Sequence, residues 1–317
     1  MRLSLIILLL AVGMSVPAHA DVDSEGLIKA GRADEALRVL NNEVHSHPEN
    51  ANAYNQLARV YFQLEMWDSA LHMAEKSTAL EPRNSAFHQW LGRAAGRKAE
   101  NSNPFTAFGL ARRVKAEFER AVALDGDNIS ARSDLAEYYL EAPGFLGGDK
   151  NKARQQAEAV APHDPGLAEY LYARVEEKGG SGRAEQQYQK AISTSSDPAR
   201  FWVELAYFYR RSGRHQEMEN AINSSLKAAG HDGVPEYDAA FLLLRTGRNF
   251  PGAIRMLRDY LDDHTSEDGP AFRAHYLLGE LLEKQGDREH AIAEFRAALA
   301  LASQFRPARD ALSRISR

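Results

Sequence analysis

The sequence predicts an all-α fold, a solenoid of paired helices stacked side by side, and three observations predict it. Residues recur at a fixed interval: Ala36 and Ala70 are 34 apart, and so are Pro48 and Pro82, a period expected of stacked helix pairs. Tyr54, Leu57, Ala58 and Tyr61 are spaced by three, one and three residues, which places them on one face of a helix. The small residues Ala58 and Ala70 stand where two helices approach closely, and Pro82 stops the second of them. One pair of short helices cannot bury both its faces, so stacked neighbours must supply the core.

Within the unit from Ala51 to Asn84, the residues Tyr54, Leu57, Ala58, Tyr61, Ala70 and Pro82 follow the order large, large, small, large, small, proline. That order closely resembles the tetratricopeptide repeat (TPR). The resemblance implies a right-handed superhelical solenoid of helix-turn-helix repeats over residues 21–317, with about eight units. The first is short at its start (Ser24, Leu27, Gly31, Ala36, Leu40, Pro48). The third carries Leu91, Gly92, Ala95, Phe118 and Ala121, and the fourth Leu135, Ala136, Tyr139, Ala153 and Pro165. The fifth is the weakest (Ala173, Ala184, Tyr188, Ala191), and in the sixth Met218 replaces a small residue after Trp202, Leu205, Ala206 and Tyr209. The seventh has Ala240, Gly247, Ala253 and Leu257; the eighth is regular again, with Leu278, Gly279, Leu282, Ala291, Phe295 and Ala298. Beyond it Phe305, Ala308, Leu312 and Ile315 keep helical spacing, and Pro307 suits a helix start. With Arg309, Asp310 and Arg314 on its polar face, this last segment is expected to be a C-terminal capping helix.

The first twenty residues are expected to be a signal peptide. Arg2 precedes an apolar run from Leu3 to Val12, Pro17 breaks it, and Ala18-His19-Ala20 has the small-x-small form of a cleavage site. The run is short for a spanning helix, which needs about 20 apolar residues. Cleavage after Ala20 makes the chain periplasmic or secreted, with an uncleaved anchor as the alternative and no stable membrane insertion once the peptide is removed. The sequence has no cysteine, so disulfides, catalytic thiols and Cys-ligated metals are ruled out. Without Arg2 the chain has 38 basic and 44 acidic side chains, a net charge of −6, which does not suit a nucleic-acid-binding surface.

Two units depart from the plain period, both between their first and second helices. In the third, Leu91 to Phe118 is about ten residues too long for the family period. Asn103-Pro104 reads as a helix start, and Phe108, Ala111, Val114 and Phe118 continue at helical spacing. Both helices of this pair are therefore expected to lengthen into a protruding hairpin. In the fourth, Ala142 to Asp149 contains a proline and three glycines, with Phe145 and Leu146 at the loop tip. The two insertions fall on one edge, where Phe145 and Leu146 either pack on the hairpin or meet a partner. A basic cluster (Arg93, Arg97, Lys98, Arg112, Arg113, Lys115) lies on the same pair, beside Glu100, Glu117 and Glu119. It is either a solvated face or a dock for an acidic peptide or anionic surface.

Nothing in the sequence assembles a catalytic site. His45 and His47 lack a third ligand, and the loop at Gly144 lacks the Gly-Lys-Ser/Thr of a phosphate cradle. No metalloprotease, nucleophile-elbow or dinucleotide motif is present. The chain is read as a non-enzyme without cofactor or metal. In the resembling family the first helix of each pair lines the concave face. Carried to this chain, the implied protein-binding residues are Asn55, Arg59, Phe62, Gln89, Trp90 and Arg93, with Phe145 and Leu146 on the insertion edge. Trp90 packs between units or is open to ligand. A C-terminal-carboxylate clamp is not supported, because Asn55 and Arg59 stand where Lys and Asn are wanted. The expected function is an exported scaffold that binds segments of other proteins. A self-associating structural module, with homo-oligomers, is the alternative, and an enzyme whose site is not visible in the sequence ranks behind both.

Overall fold

The computed structural model describes residues 23–229, 234–263 and 265–316; the expected signal peptide lies outside them. Every regular element among the described residues is helical. The helices come in pairs: α1 (Ser24–Lys29) with α2 (Ala33–Ser46), α3 (Ala51–Gln63) with α4 (Trp67–Leu80), and α5 (Ser85–Glu100) with α6 (Pro104–Leu124). There follow α7 (Ile129–Glu141) with α8 (Lys150–Val160), α9 (Pro165–Gly179) with α10 (Ala184–Thr194), and α11 (Pro198–Arg211) with α12 (His215–Ala229). The last pairs are α13 (Val234–Thr246) with α14 (Phe250–Asp263) and α15 (Ala271–Lys284) with α16 (Arg288–Leu301), and α17 (Arg306–Ile315) ends the chain.

Local chemistry starts these helices. Asn50, Asn84 and Asn128 accept hydrogen bonds from the backbone N–H groups of Ala53, Phe87 and Ala131, and Asp164 and Asp197 do the same for Leu167 and Arg200. Each cap satisfies a donor that the first turn leaves free. Small residues then set the helix spacing. Ala58, Ala70 and Ala74 are buried together between units two and three, and Ala206 and Ala221 between the helices of unit six. At Gly92 a Cβ would come within 2.4 Å of the Phe118 ring, and at Gly279 within 2.5 Å of the Phe295 ring. These are the same contact in units three and eight. It joins residues 26 apart in one and 16 apart in the other, so the insertion leaves the packing register of the pair intact. The extra residues lengthen α5 to 16 residues and α6 to 21, forming the expected hairpin.

The solenoid closes on itself. Leu27, Ile28, Leu37 and Leu40 of the first unit share one buried cluster with Phe272, Ala298, Phe305 and Ala308 of the last. Gly31, in the turn between α1 and α2, has φ +66°, and a Cβ there would lie 2.3 Å from the backbone nitrogen of Ala271. The Asp34 carboxylate accepts a bond from the Ser303 N–H at 2.9 Å, and the Arg273 guanidinium donates to the Gln63 carbonyl at 2.8 Å. The edge of units one and two that carries their inter-helix turns therefore stacks on the opposite edge of unit eight. The solenoid makes a single turn, like a lock washer. α17 covers more than the end of the stack: Ala311 and Ile315 pack in the core of the final units, while Phe305 and Ala308 pack against the first.

Candidate protein-binding site

Closure changes the surroundings of the first-helix residues. Arg59 is not a free ligand-binding group. Its side chain is only 12% exposed, and its Nε and Nη2 donate to Glu267 at 2.8 and 2.6 Å. Its Nη1 and Nη2 also donate to Glu25 at 2.8 and 2.5 Å. Desolvation works to lower the guanidinium pKa, but the bonds to Glu267 and Glu25 outweigh it and raise it. Glu25 is correspondingly held below the usual carboxylate range, chiefly by its hydrogen bonds from Arg59. Arg59 thus ties the first unit to the loop preceding the last. Asn55 and Gln89 are likewise buried. Gln89 donates to Ser130 and Asp134 at 2.7 Å each, and Asn55 Nδ2 has no protein partner.

The other first-helix residues meet in one place. Phe62, at the end of α3, contacts Trp67 and Trp90 edge-on, with centroids 5.4 and 5.7 Å away. Arg93 lies over the Trp90 ring at 4.9 Å and Arg97 over the Trp67 ring at 5.0 Å. Trp90 is half-buried, and Arg59 as well as Arg93 lies over its ring, at 5.8 Å. Asp134 on α7 steers Arg93 through bonds of 2.7 and 3.3 Å. Planar cations stacked on aromatic faces form a surface with both apolar and hydrogen-bonding character.

Arg93 stands where three cavities meet. A cleft of about 420 Å³ runs between the hairpin and α7, lined by Phe62, Gly96, Ala111, Val114, Pro143 and Leu146 among others. A second, of about 570 Å³, lies inside the ring against Trp67, Trp90, Asp268 and Arg273. A third, of about 770 Å³, reaches across the ring to Arg200, Glu204 and Asp238. Arg93 lines all three, and Arg97 lines the first two. On the far wall, burial pushes the Glu204 carboxyl up to about 7, with the charges of Asp238 and Glu137 adding to it. Asp238 rises to about 6, first through burial and then through Asp268. Glu204 and Asp238 stand one period apart on the adjacent first helices α11 and α13, so the stacking of neighbouring units brings these carboxylates together.

The insertion loop is fixed at its ends. Tyr138 Oη donates to the Leu146 carbonyl at 2.9 Å, and the Asp149 N–H donates to the Tyr139 carbonyl at 2.9 Å. Leu146 turns into the cleft. Phe145 remains 78% exposed, with its ring stacked on Phe108 at 6.4 Å. Among the described residues, no three His, Asp or Glu side chains are placed to share a metal ion, and no helix is long and apolar enough to cross a membrane.

Three family models, each described as tetratricopeptide repeat, match residues 27–94, 199–232 and 237–304, together more than half of the chain. The chain belongs to the tetratricopeptide-repeat family. Solved structures similar to this TPR chain include the APC/C hetero-tetramer Cut9–Hcn1, at 15% identity and a TM-score of 0.46. That match covers 94% of this chain and 48% of the other, so this chain spans about half the length of that relative. A tetratricopeptide repeat protein from Parabacteroides merdae is 16% identical, covering 90% of this chain and 99% of its own, with a TM-score of 0.43. A thermophilic TPR protein from Thermus thermophilus is 20% identical, covering 59% and 98%, with a TM-score of 0.49.

Proposed function

We propose that this TPR protein is an exported, non-enzymatic scaffold that holds an extended segment of a partner protein along its inner wall. The segment would enter at the cleft beside the hairpin and pass Arg93 into the ring. The observation that carries this reading is the junction of three cavities at Arg93, one of them lined by Trp90. An apolar cleft accepts side-chain anchors, and the stacked guanidinium groups bond to peptide carbonyls or acidic side chains. Export rests on the form of the first twenty residues, with the ring working in the periplasm or outside the cell.

The test is site-specific photocrosslinking in intact cells, from Trp90 and Arg97 on the inner wall and from Leu80, an exposed position on α4. Discrete adducts are expected from the first two and not from Leu80, and with the probe at Arg97, Arg93→Glu combined with Trp90→Ala should abolish them. Equal adducts from Leu80, or capture indifferent to the double substitution, would remove the inner wall as the binding surface. Arg59→Glu is unsuitable as a probe, since it breaks ring closure before it tests binding.

A further inference from the structure

We propose that the tip formed by the α5–α6 hairpin and the α7–α8 loop docks on an anionic lipid surface, a role separate from peptide binding inside the ring. Among the described residues the strongly exposed large hydrophobic side chains are Leu80, Phe105, Phe108 and Phe145. Three of these four form one patch. Phe105 is 92% exposed, Phe108 follows one turn later at 47%, and the Phe145 ring lies nearly parallel to that of Phe108. A Cβ placed at Gly109 or at Gly144 would have nothing within 4 Å. The tip is convex, and nothing else in the described chain covers it.

The free ends of the two helices at this tip are satisfied internally. Asn103 accepts from the Phe105 and Thr106 N–H groups, while Pro104 has no N–H to satisfy. On the other side of the turn, Asn101 Nδ2 donates to the Arg97 carbonyl at 2.8 Å and Ser102 Oγ to the Lys98 carbonyl at 2.7 Å. Orphan groups at a helix end would resist transfer out of water. These bonds lower that cost. Glu100, the only acidic residue from 97 to 109, is paired with Arg97 at 2.6 Å.

Cations stand behind the rings. Arg112 lies one turn past Phe108, exposed and without an ion pair among the described residues, and Lys150 at the start of α8 is likewise exposed and unpaired. Lys152 is exposed beside it. This basic flank belongs to a chain whose net charge is −5. A protein partner would need a pocket shaped to a convex aromatic tip. A bilayer interface accepts such a tip without shape matching, with phenyl rings at the acyl boundary and Arg and Lys at the phosphates.

The test uses the chain from Asp21 onward, which retains every described helix and lacks the apolar leader. It is sedimented with phosphatidylcholine vesicles, with or without about 30% phosphatidylglycerol, an amount giving a strongly negative surface. Binding to the anionic vesicles alone is expected. Phe105→Ser with Phe145→Ser should weaken it about tenfold or more, and so should Arg112→Glu with Lys150→Glu, with thermal melting unchanged for both. Phe105→Trp should give an added fluorescence signal quenched by brominated acyl chains. The proposal is overturned by absence of binding, by binding that ignores the aromatic pair, or by an unquenched indole at position 105. It is equally overturned if the aromatic pair proves necessary for capturing a protein partner while lipid binding stays unchanged.

Discussion

Replacing Arg59 with methionine should open the ring. Methionine keeps most of the length and apolar stem but removes the charge that joins Glu25 to Glu267. Removing one partner from a buried ion pair costs about 3–5 kcal/mol, because the other charge is left unpaired. Here Glu25 is 37% and Glu267 23% exposed, so water offsets part of that cost, and about 2–4 kcal/mol is expected. Glu267→Gln added to Arg59→Met should restore part of the loss, since it relieves the repulsion left between the two carboxylates. Urea denaturation measures the cost. Because the chain lacks cysteine, spin labels can be placed at Arg38 on α2 and Arg309 on α17 alone, giving the distance between the stacked edges. A narrow distribution should broaden and lengthen in the variant. The pH dependence has a definite sign. Glu25 is depressed in the folded state, so its contribution is present above the ordinary carboxylate value of 4.5 and is lost as pH falls through the lowered one. The stability gap between wild type and Arg59→Met should be constant near neutrality and shrink in acid. A cost below about 0.5 kcal/mol, within the range of ordinary surface substitutions, together with an unchanged label distance would refute the clasp.

Other substitutions test the same frame. Gly31→Ala places a methyl against the Ala271 backbone at a positive φ; it should destabilise by about 2–4 kcal/mol and lengthen the same label distance. Gly92→Ala and Gly279→Ala each press on a phenylalanine ring, and each should lower stability by about 1–3 kcal/mol, read from urea denaturation, without opening the ring. Glu204, raised to about 7, costs stability when ionised. Stability should therefore fall as pH rises from about 4.5 through 7. Glu204→Gln should flatten that fall and stabilise the protein at pH values above it, as read from midpoints on either side.

The repeat was legible because its signals are local. Ala58, Ala70 and Pro82 report on contacts and breaks within one unit, and Asn103-Pro104 reports a helix start wherever it falls. Ring closure was not legible. It depends on small rotations summed over eight units, and Arg59 and Glu267 are 208 residues apart with no pattern joining them. For the same reason Arg59, whose family position faces a ligand in an open solenoid, faces a second edge of the chain in this one. The burial of Gln89 is not visible in its own unit, because Ser130 and Asp134, its partners, lie in the next one. Phe62, Trp90 and Arg93 come from the same carried-over family positions, and helical phase brings them together beside the cavities that meet at Arg93.

An open solenoid can gain or lose a unit at little cost, since each repeat answers only to its neighbours. A chain that bites its own tail must count. Deleting or duplicating one unit here would carry Glu267 away from Arg59 and Phe305 away from Ile28, with no nearby substitute for either. The first and last units also pack on each other, which hinders fraying from either, so melting should be more cooperative than that of an open array of equal length. The number of repeats in this protein is set by the geometry of one full turn.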